Sequence, residues 1–312
     1  MQLKLRKIVL SSIRSEDKSY LLAPEHSLRS ISPELIDSIS QVGVLHPPLV
    51  QANDKNDYII ISGFKRIAIL QNISPNIQLH CLILPIDCSQ EDVYTTLFHH
   101  WVTDRQPSII EQAAFFSKTN KILSKSTLLS FTQQLGYKPT MRIVNDLISL
   151  LKLESTVITG LHNGSIHPRS ARKIQSLNPM NQKIVASLIT TYKLGGSKQQ
   201  KMIDLGMELI MRKKFSWSDI RDNWLKKEDD KEQNIPQQSG RLLEWLNEQC
   251  YPQSSLAESE FTEFVRSLKL PANATVSHVP SFEGDELWMT IKYANKEELR
   301  KKLPLVTKHT TD

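Results

Sequence analysis

Nine cations lie between residues 118 and 173: Lys118, Lys121, Lys125, Lys138, Arg142, Lys152, Arg169, Arg172 and Lys173. Two acids, Asp146 and Glu154, oppose them, so this segment carries +7 in a chain whose total is +6. Residues 1–117 come to −2 and residues 174–312 to +1. One stretch therefore supplies the basic character, the footprint of a surface that neutralises phosphates. A second suggestive group precedes it. Ser62-Gly63-Phe64-Lys65-Arg66 puts a glycine and two cations where an apolar strand gives way to a helix. The N–H groups and dipole of a helix start favour an anion there, although two cations at a helix start can also be plain solvated charges. His99 and His100 are adjacent, so they do not share a helix face, and no Cys or acid completes a metal set around them. Neither a catalytic residue nor a metal site is assigned.

The basic stretch needs helices to present it. Leu128, Phe131 and Leu135 recur at three- and four-residue spacing, which predicts a helix opening after Ser124 or Ser126 and stopped by Gly136. A second helix is expected from Pro139, burying Val144, Leu147, Ile148 and Leu151 and turning Thr140, Arg142, Asn145, Ser149 and Lys152 outward. Two helices joined by a Gly-containing turn form the layout of a helix-turn-helix, in which Arg reads guanine and Asn reads adenine. The same pattern also fits an ordinary antiparallel helical pair with a solvated polar face. The stretch continues through Leu151-Lys152-Leu153 to Asn163-Gly164-Ser165-Ile166 and Arg169-Ser170-Ala171-Arg172.

That order resembles the central DNA-binding domain of ParB-type partition proteins. Upstream, "SPELIDSISQVGVLHPPLV" followed by "DYIIISGFKRIAIL" resembles the ParB N-terminal fold, whose second signature, "GERRxRA", binds the phosphates of CTP. Carried over, Gly63, Lys65 and Arg66 match the glycine and the two cations, while Phe64 and Ile67 depart from it. The run from His99 to Ala113 resembles the next nucleotide motif, "ENxxRxxLxPxEEA", with Arg105 and Glu111 roughly in register. Its Glu-Asn pair, which helps hold Mg²⁺ in the family, is replaced by His99, His100 and Trp101, and hard Mg²⁺ prefers oxygen ligands. The resemblance thus implies CTP and Mg²⁺ as cofactors, while the second motif argues against them.

The flanks are organised around these parts. Strands are expected at Lys7 to Ser12, at Val44 to Val50, at Tyr58 to Ser62 and at Leu79 to Leu84, with helices starting at Ser32-Pro33-Glu34, after Gly63 and at Ser89. Further helices are expected after Asn178-Pro179, over Met202 to Met211 and over Trp217 to Leu225. Beyond a polar run, two helices, two alternating strands (Ala274–Val279 and Glu286–Tyr293) and a closing helix from Lys296 make a thin core. Small units of that kind are commonly completed by a second copy. This tail resembles the ParB C-terminal dimerisation domain. The fold expected is therefore α+β and multidomain: a ParB/sulfiredoxin-like α/β domain over 1–116, an all-helical helix-turn-helix domain over 117–226, a flexible linker over 227–241 and a small α/β dimerisation domain over 242–312.

No apolar run is long enough to cross a bilayer, the N-terminal residues lack the apolar core of a signal peptide, and Cys81, Cys88 and Cys250 show no metal-ligand spacing. A cytoplasmic, nucleoid-associated protein is expected. The resemblance implies a homodimer on a palindromic double-stranded DNA site, clamp closure driven by CTP, and a ParA-like ATPase partner. Phosphate contacts are expected from Lys118, Lys121, Lys125, Lys152 and Lys173, base contacts from Thr140, Arg142 and Asn145, and further DNA contacts from Lys138, Arg169, Ser170 and Arg172. A transcription regulator or nucleoid-occlusion factor would share this architecture. An enzyme of the ParB and sulfiredoxin fold, a kinase or nuclease using Lys65, Arg66 and His99 or His100, is the rival from another class.

Overall fold

The computed structural model describes residues 3–29, 31–54, 57–74, 76–227, 234–279 and 284–307. The chain divides into two compact units, one of residues 1–203 with 217–222, the other of 204–216 with 223–312. Both α-helix and β-sheet are present, the sheet mixed in direction.

The first unit opens on β1 (Lys4–Val9), a 3₁₀ turn over Leu10–Ser12 and β2 (Ile13–Arg14). The strand expected over Lys7 to Ser12 is therefore displaced. It breaks at Leu10, whose side chain is fully buried and whose N–H bonds the Ile77 carbonyl at 2.9 Å. Helix α1 (Pro33–Val42) follows with Ser32 as its cap, then β3 (Leu49–Ala52), β4 (Tyr58–Ser62), α2 (Phe64–Ile73) and β5 (Gln78–Leu84). The strands order as β1-β5-β3-β4-β2. Pairing is antiparallel for β1 with β5 and for β3 with β4, and parallel for β3 with β5 and for β2 with β4. Ile60, Val50, Leu79 and Cys81 from the sheet meet Phe64, Ile67 and Leu70 of α2 in one apolar cluster. Burial of this kind contributes about 25 cal/mol for each Å² of apolar surface.

Helices α3 (Gln90–Asp104) and α4 (Ile109–Thr119) lead into α5 (Lys125–Gln134) and α6 (Met141–Ser149). A boundary at 116/117 would fall inside α4, and aromatic packing shows why the chain is continuous there. Phe98 of α3 stacks on Phe131 of α5 with ring centroids 3.9 Å apart, and Phe115 of α4 packs against Phe98, Trp101 and Phe131. The sheet's last helix and the first basic helix thus share one core. Next come α7 (Ser155–Asn163), α8 (Pro168–Ile174), α9 (Pro179–Thr191), α10 (Gly196–Lys213) and α11 (Trp217–Lys227).

The second unit is built on α12 (Ile235–Cys250), which buries Leu242, Leu243, Trp245 and Leu246. Its start corrects the expected flexible linker. Asn234 caps the helix through the Gln237 N–H at 3.1 Å, Pro236 sits in its first turn, and residues 235–241 are helical. Residues 228–233 of that linker lie outside the described residues. Helix α13 (Pro252–Ser267) buries none of its residues. Strands β6 (Ala274–His278) and β7 (Leu287–Ile291) form an antiparallel pair in the register Ala274 to Ile291, and α14 (Lys296–Thr307) follows. The turn expected at Glu283-Gly284-Asp285 falls partly outside the described residues.

Candidate nucleic-acid interface and anion cavity

The helix pair α5–α6 is defined at each end by local chemistry. Ser124 Oγ accepts the Thr127 N–H at 3.1 Å and opens α5, and Gly136 closes it at φ +84°, a left-handed backbone that glycine adopts freely. The turn is anchored from outside the pair: Tyr137 Oη donates to Gln112 Oε1 at 2.8 Å, and the same Gln112 amide donates to the Pro107 carbonyl at 3.0 Å. Helix α6 starts at Met141, not at Pro139, because Thr140 Oγ1 caps it by accepting the Ile143 N–H at 3.4 Å.

On α6, Val144 and Leu147 are buried, while Ile148 and Leu151 are only half-buried, so the apolar stripe is narrower than expected. Arg142 and Asn145, one turn apart, are exposed. Arg142 has 90% of its side chain exposed and only a loose approach of 4.0 Å to Asp146. Arg142 and Asp146 of α6 share a groove of about 280 Å³ with Arg172 and Gln175 from the next helical turns. The stretch between is braced by buried glutamines. Gln199 Oε1 accepts the His167 N–H at 2.9 Å, and its amide donates to the Ser165 and Leu194 carbonyls, both at 2.8 Å. Gln182 does the same for Glu154 N–H and the Leu177 carbonyl. Such bonds matter because a buried backbone group left unpaired costs about 1–3 kcal/mol.

Of the twelve residues expected at DNA, ten are exposed: Lys121, Lys125, Lys138, Thr140, Arg142, Asn145, Lys152, Arg169, Arg172 and Lys173. Two are not. Ser170 is completely buried, since on α8 it shares the inner face with Ala171 and Ile174, and it is removed from the set. Lys118 is half-buried and donates to the Ser19 carbonyl at 2.7 Å; burial lowers its pKa, with Asp17 acting the other way. It ties α4 to the N-terminal segment.

The five residues expected at a nucleotide, Gly63, Lys65, Arg66, Arg105 and Glu111, all line one cavity of about 650 Å³. Gly63 is required twice over. Its φ is +98°, and a Cβ there would lie 2.9 Å from Pro48 Cβ. No side chain caps the N-terminus of α2 that it opens, so the helix start faces outward with Lys65 and Arg66 in its first turn. Arg105 and Glu111 form a two-bond ion pair, the Nη1 to Oε2 bond being 2.8 Å, and Glu111 Oε2 also accepts the Ser108 N–H at 2.9 Å. Ser108 Oγ in turn accepts the Glu111 N–H, which completes a capping box at α4. Burial works to raise the Glu111 pKa, but Arg105 and the Ser108 N–H prevail and hold it below the usual 4.5. The cavity also contains His162, whose Nδ1 lies 2.8 Å from Ser108 Oγ. His162 and Ser108 had no role in the sequence reading. Ser108-x-x-Glu111 was legible as a capping box, whereas His162 meets Ser108 across 54 residues of chain. Neither His99 nor His100 is among the described residues lining the cavity, and no group of three or more metal-ligating side chains occurs among the described residues.

No family model and no curated protein matches the chain. Solved structures do. The C-terminally truncated chromosome-partitioning protein ParB from Caulobacter crescentus, complexed to the centromeric parS site, is 17% identical over 64% of this chain and 98% of that one, with a TM-score of 0.35. The same truncated protein complexed with CTP-γ-S is 19% identical over 60% and 98%, with a TM-score of 0.26. A Pnob8-like ParB-N domain is 14% identical over 78% and 98%, with a TM-score of 0.38. At these levels the likeness concerns the course of the chain, and ligand and target have to be argued from the residues themselves.

Proposed function

We propose that this chain is a sequence-specific DNA-binding protein of the ParB type, acting in chromosome or plasmid partition. Helix α6 enters the major groove, Arg142 and Asn145 read base edges, and the cations of α5, α8 and the turns hold phosphates. The observation that carries this is Arg142: an almost fully exposed guanidinium on the outer face of a capped, braced second helix, with Arg172 across a shared groove. In this reading a homodimer presents two such helices to a palindromic centromere-like site, CTP occupies the Gly63–Lys65–Arg66 cavity and closes the N-terminal regions as a clamp, and a ParA-like ATPase moves the complex over the nucleoid. Support for the dimer comes from β7, where Leu287, Trp288 and Met289 are 47%, 50% and 58% exposed. Apolar side chains on successive positions of a two-stranded pair leave both faces uncovered, and a second copy covers both at once.

Mapping the DNA bound by the full chain across the cell tests the function. A few clustered palindromic sites near a replication origin are expected; sites scattered over promoters would indicate a regulator instead. Sedimentation tests the pairing: Trp288→Glu should shift a dimer towards monomer, and an unchanged dimer would place the interface elsewhere.

A further inference from the structure

We propose that the cavity takes up its phosphorylated anion without a divalent cation, and that His162, by gaining a proton, supplies positive charge that a metal would otherwise bring. The inference rests on the reading of this cavity as a nucleotide site. It begins from the carboxylate inventory. Among the described lining residues the one acid is Glu111, and its oxygens already accept two bonds from Arg105 and one from the Ser108 N–H. To ligate Mg²⁺, which demands oxygen donors in a near-octahedral shell, Glu111 would have to release both its cation and the start of α4. The remaining charges, Lys65, Arg66 and Arg105, repel a dication and attract the anion directly.

His162 is built to change charge in place. Ser108 Oγ takes one bond from the Glu111 N–H and retains a lone pair and its own proton. It can therefore donate to a neutral imidazole at Nδ1 or accept from a protonated one, so the 2.8 Å contact survives in both states. The groups facing His162 come from each element packed around it: Glu111 of α4, Lys65 of α2, Arg105 before α4, and His26 from the 3₁₀ turn Glu25–Leu28. Burial first, then Lys65, Arg105 and His26, hold its pKa below 6.5, and Glu111 opposes them. An anion seated among the same cations cancels their effect, so binding draws in a proton. The sign follows: affinity rises as pH falls through the ordinary histidine range, with one proton allowing at most about tenfold per pH unit.

The test is calorimetric titration of the full chain with CTP, in Mg²⁺ and in EDTA, at about pH 6 and about pH 8, in buffers of differing ionisation heat. Expected are affinities in EDTA within about threefold of those in Mg²⁺, binding about threefold to tenfold tighter at the lower pH, and net proton uptake. His162→Gln keeps a hydrogen-bonding partner for Ser108 and should flatten the pH profile without lowering the melting temperature. His162→Asn serves if that variant does not fold, and proton uptake by the wild type needs no variant. Binding only in Mg²⁺ overturns the inference and leaves the nucleotide reading standing, as does a pH profile that His162→Gln does not change. Binding in neither buffer removes the nucleotide reading, and this inference with it.

Discussion

Replacing Arg142 by Ala separates recognition from folding, because the structure says what else Arg142 does, and that is little. Its side chain is 90% exposed and its one ion-pair approach, to Asp146, is 4.0 Å long. An exposed pair of that kind is worth under about 1 kcal/mol, so the variant should melt close to the wild type. At DNA the loss is larger. A bidentate contact from Arg to guanine discriminates by about 1–3 kcal/mol, and a dimer on a palindrome makes two, giving roughly 2–6 kcal/mol. At 1.4 kcal/mol for each factor of ten, the cognate-to-random ratio should fall between about 30-fold and about 10⁴-fold. Exposing Asp146 repels every duplex equally, so it lowers both affinities and leaves the ratio alone. Lys152→Ala is the matched control: it should weaken cognate and random duplexes alike and reduce the salt slope by about one. Fluorescence anisotropy on both duplexes over a range of salt measures all of this. If Arg142→Ala keeps the wild-type ratio, α6 is not the helix that reads sequence, and the argument from its outer face fails.

Two further outcomes follow from packing and charge. In Gly160→Ala the new methyl meets Ile166 Cγ1 and Cδ1 at 2.6 Å, and Ile166 is 1% exposed with nowhere to move. Overpacking costs about 1–3 kcal/mol and outweighs the gain of up to about 1 kcal/mol in helix propensity, so urea unfolding should show a net loss; an equal or higher midpoint would contradict it. Glu111 has a folded pKa below its usual 4.5, so the unfolded carboxyl takes its proton first. Its stabilising contribution is present above about pH 4.5 and fades as pH falls below it, which Glu111→Gln should show as a lower plateau and a shallower acid slope. A variant as acid-sensitive as the wild type would mean the Arg105 pair does not carry the effect.

Much of this was legible in the chain itself. Periodicity located α5 and α6, charge counting isolated the basic stretch, and the strand-glycine-cation pattern at Ile61–Arg66 marked the anion cradle. These succeed because each depends on residues within a turn or two of one another. The failures have the reverse cause. Ser170 lies between Arg169 and Arg172, but α8 turns it inward against the core, a fact set by where α8 packs. The expected linker is polar, yet from Ile235 it forms a helix that buries Ser239 and Leu242 on one side. Composition cannot tell a solvated helix face from a loose segment when only one face needs apolar partners.

The amino-acid order alone determined which side chains are cations, which helices would show them, and that Gly63 could open a helix on an anion. Only the folded chain decided that Phe98 and Phe131 would fuse the sheet and the basic helices into one core, and that His162 would meet Ser108 and Glu111 from 54 residues away. Local propensity is written in neighbours along the chain, whereas a site is assembled by burial, which brings together residues that share no sequence signal.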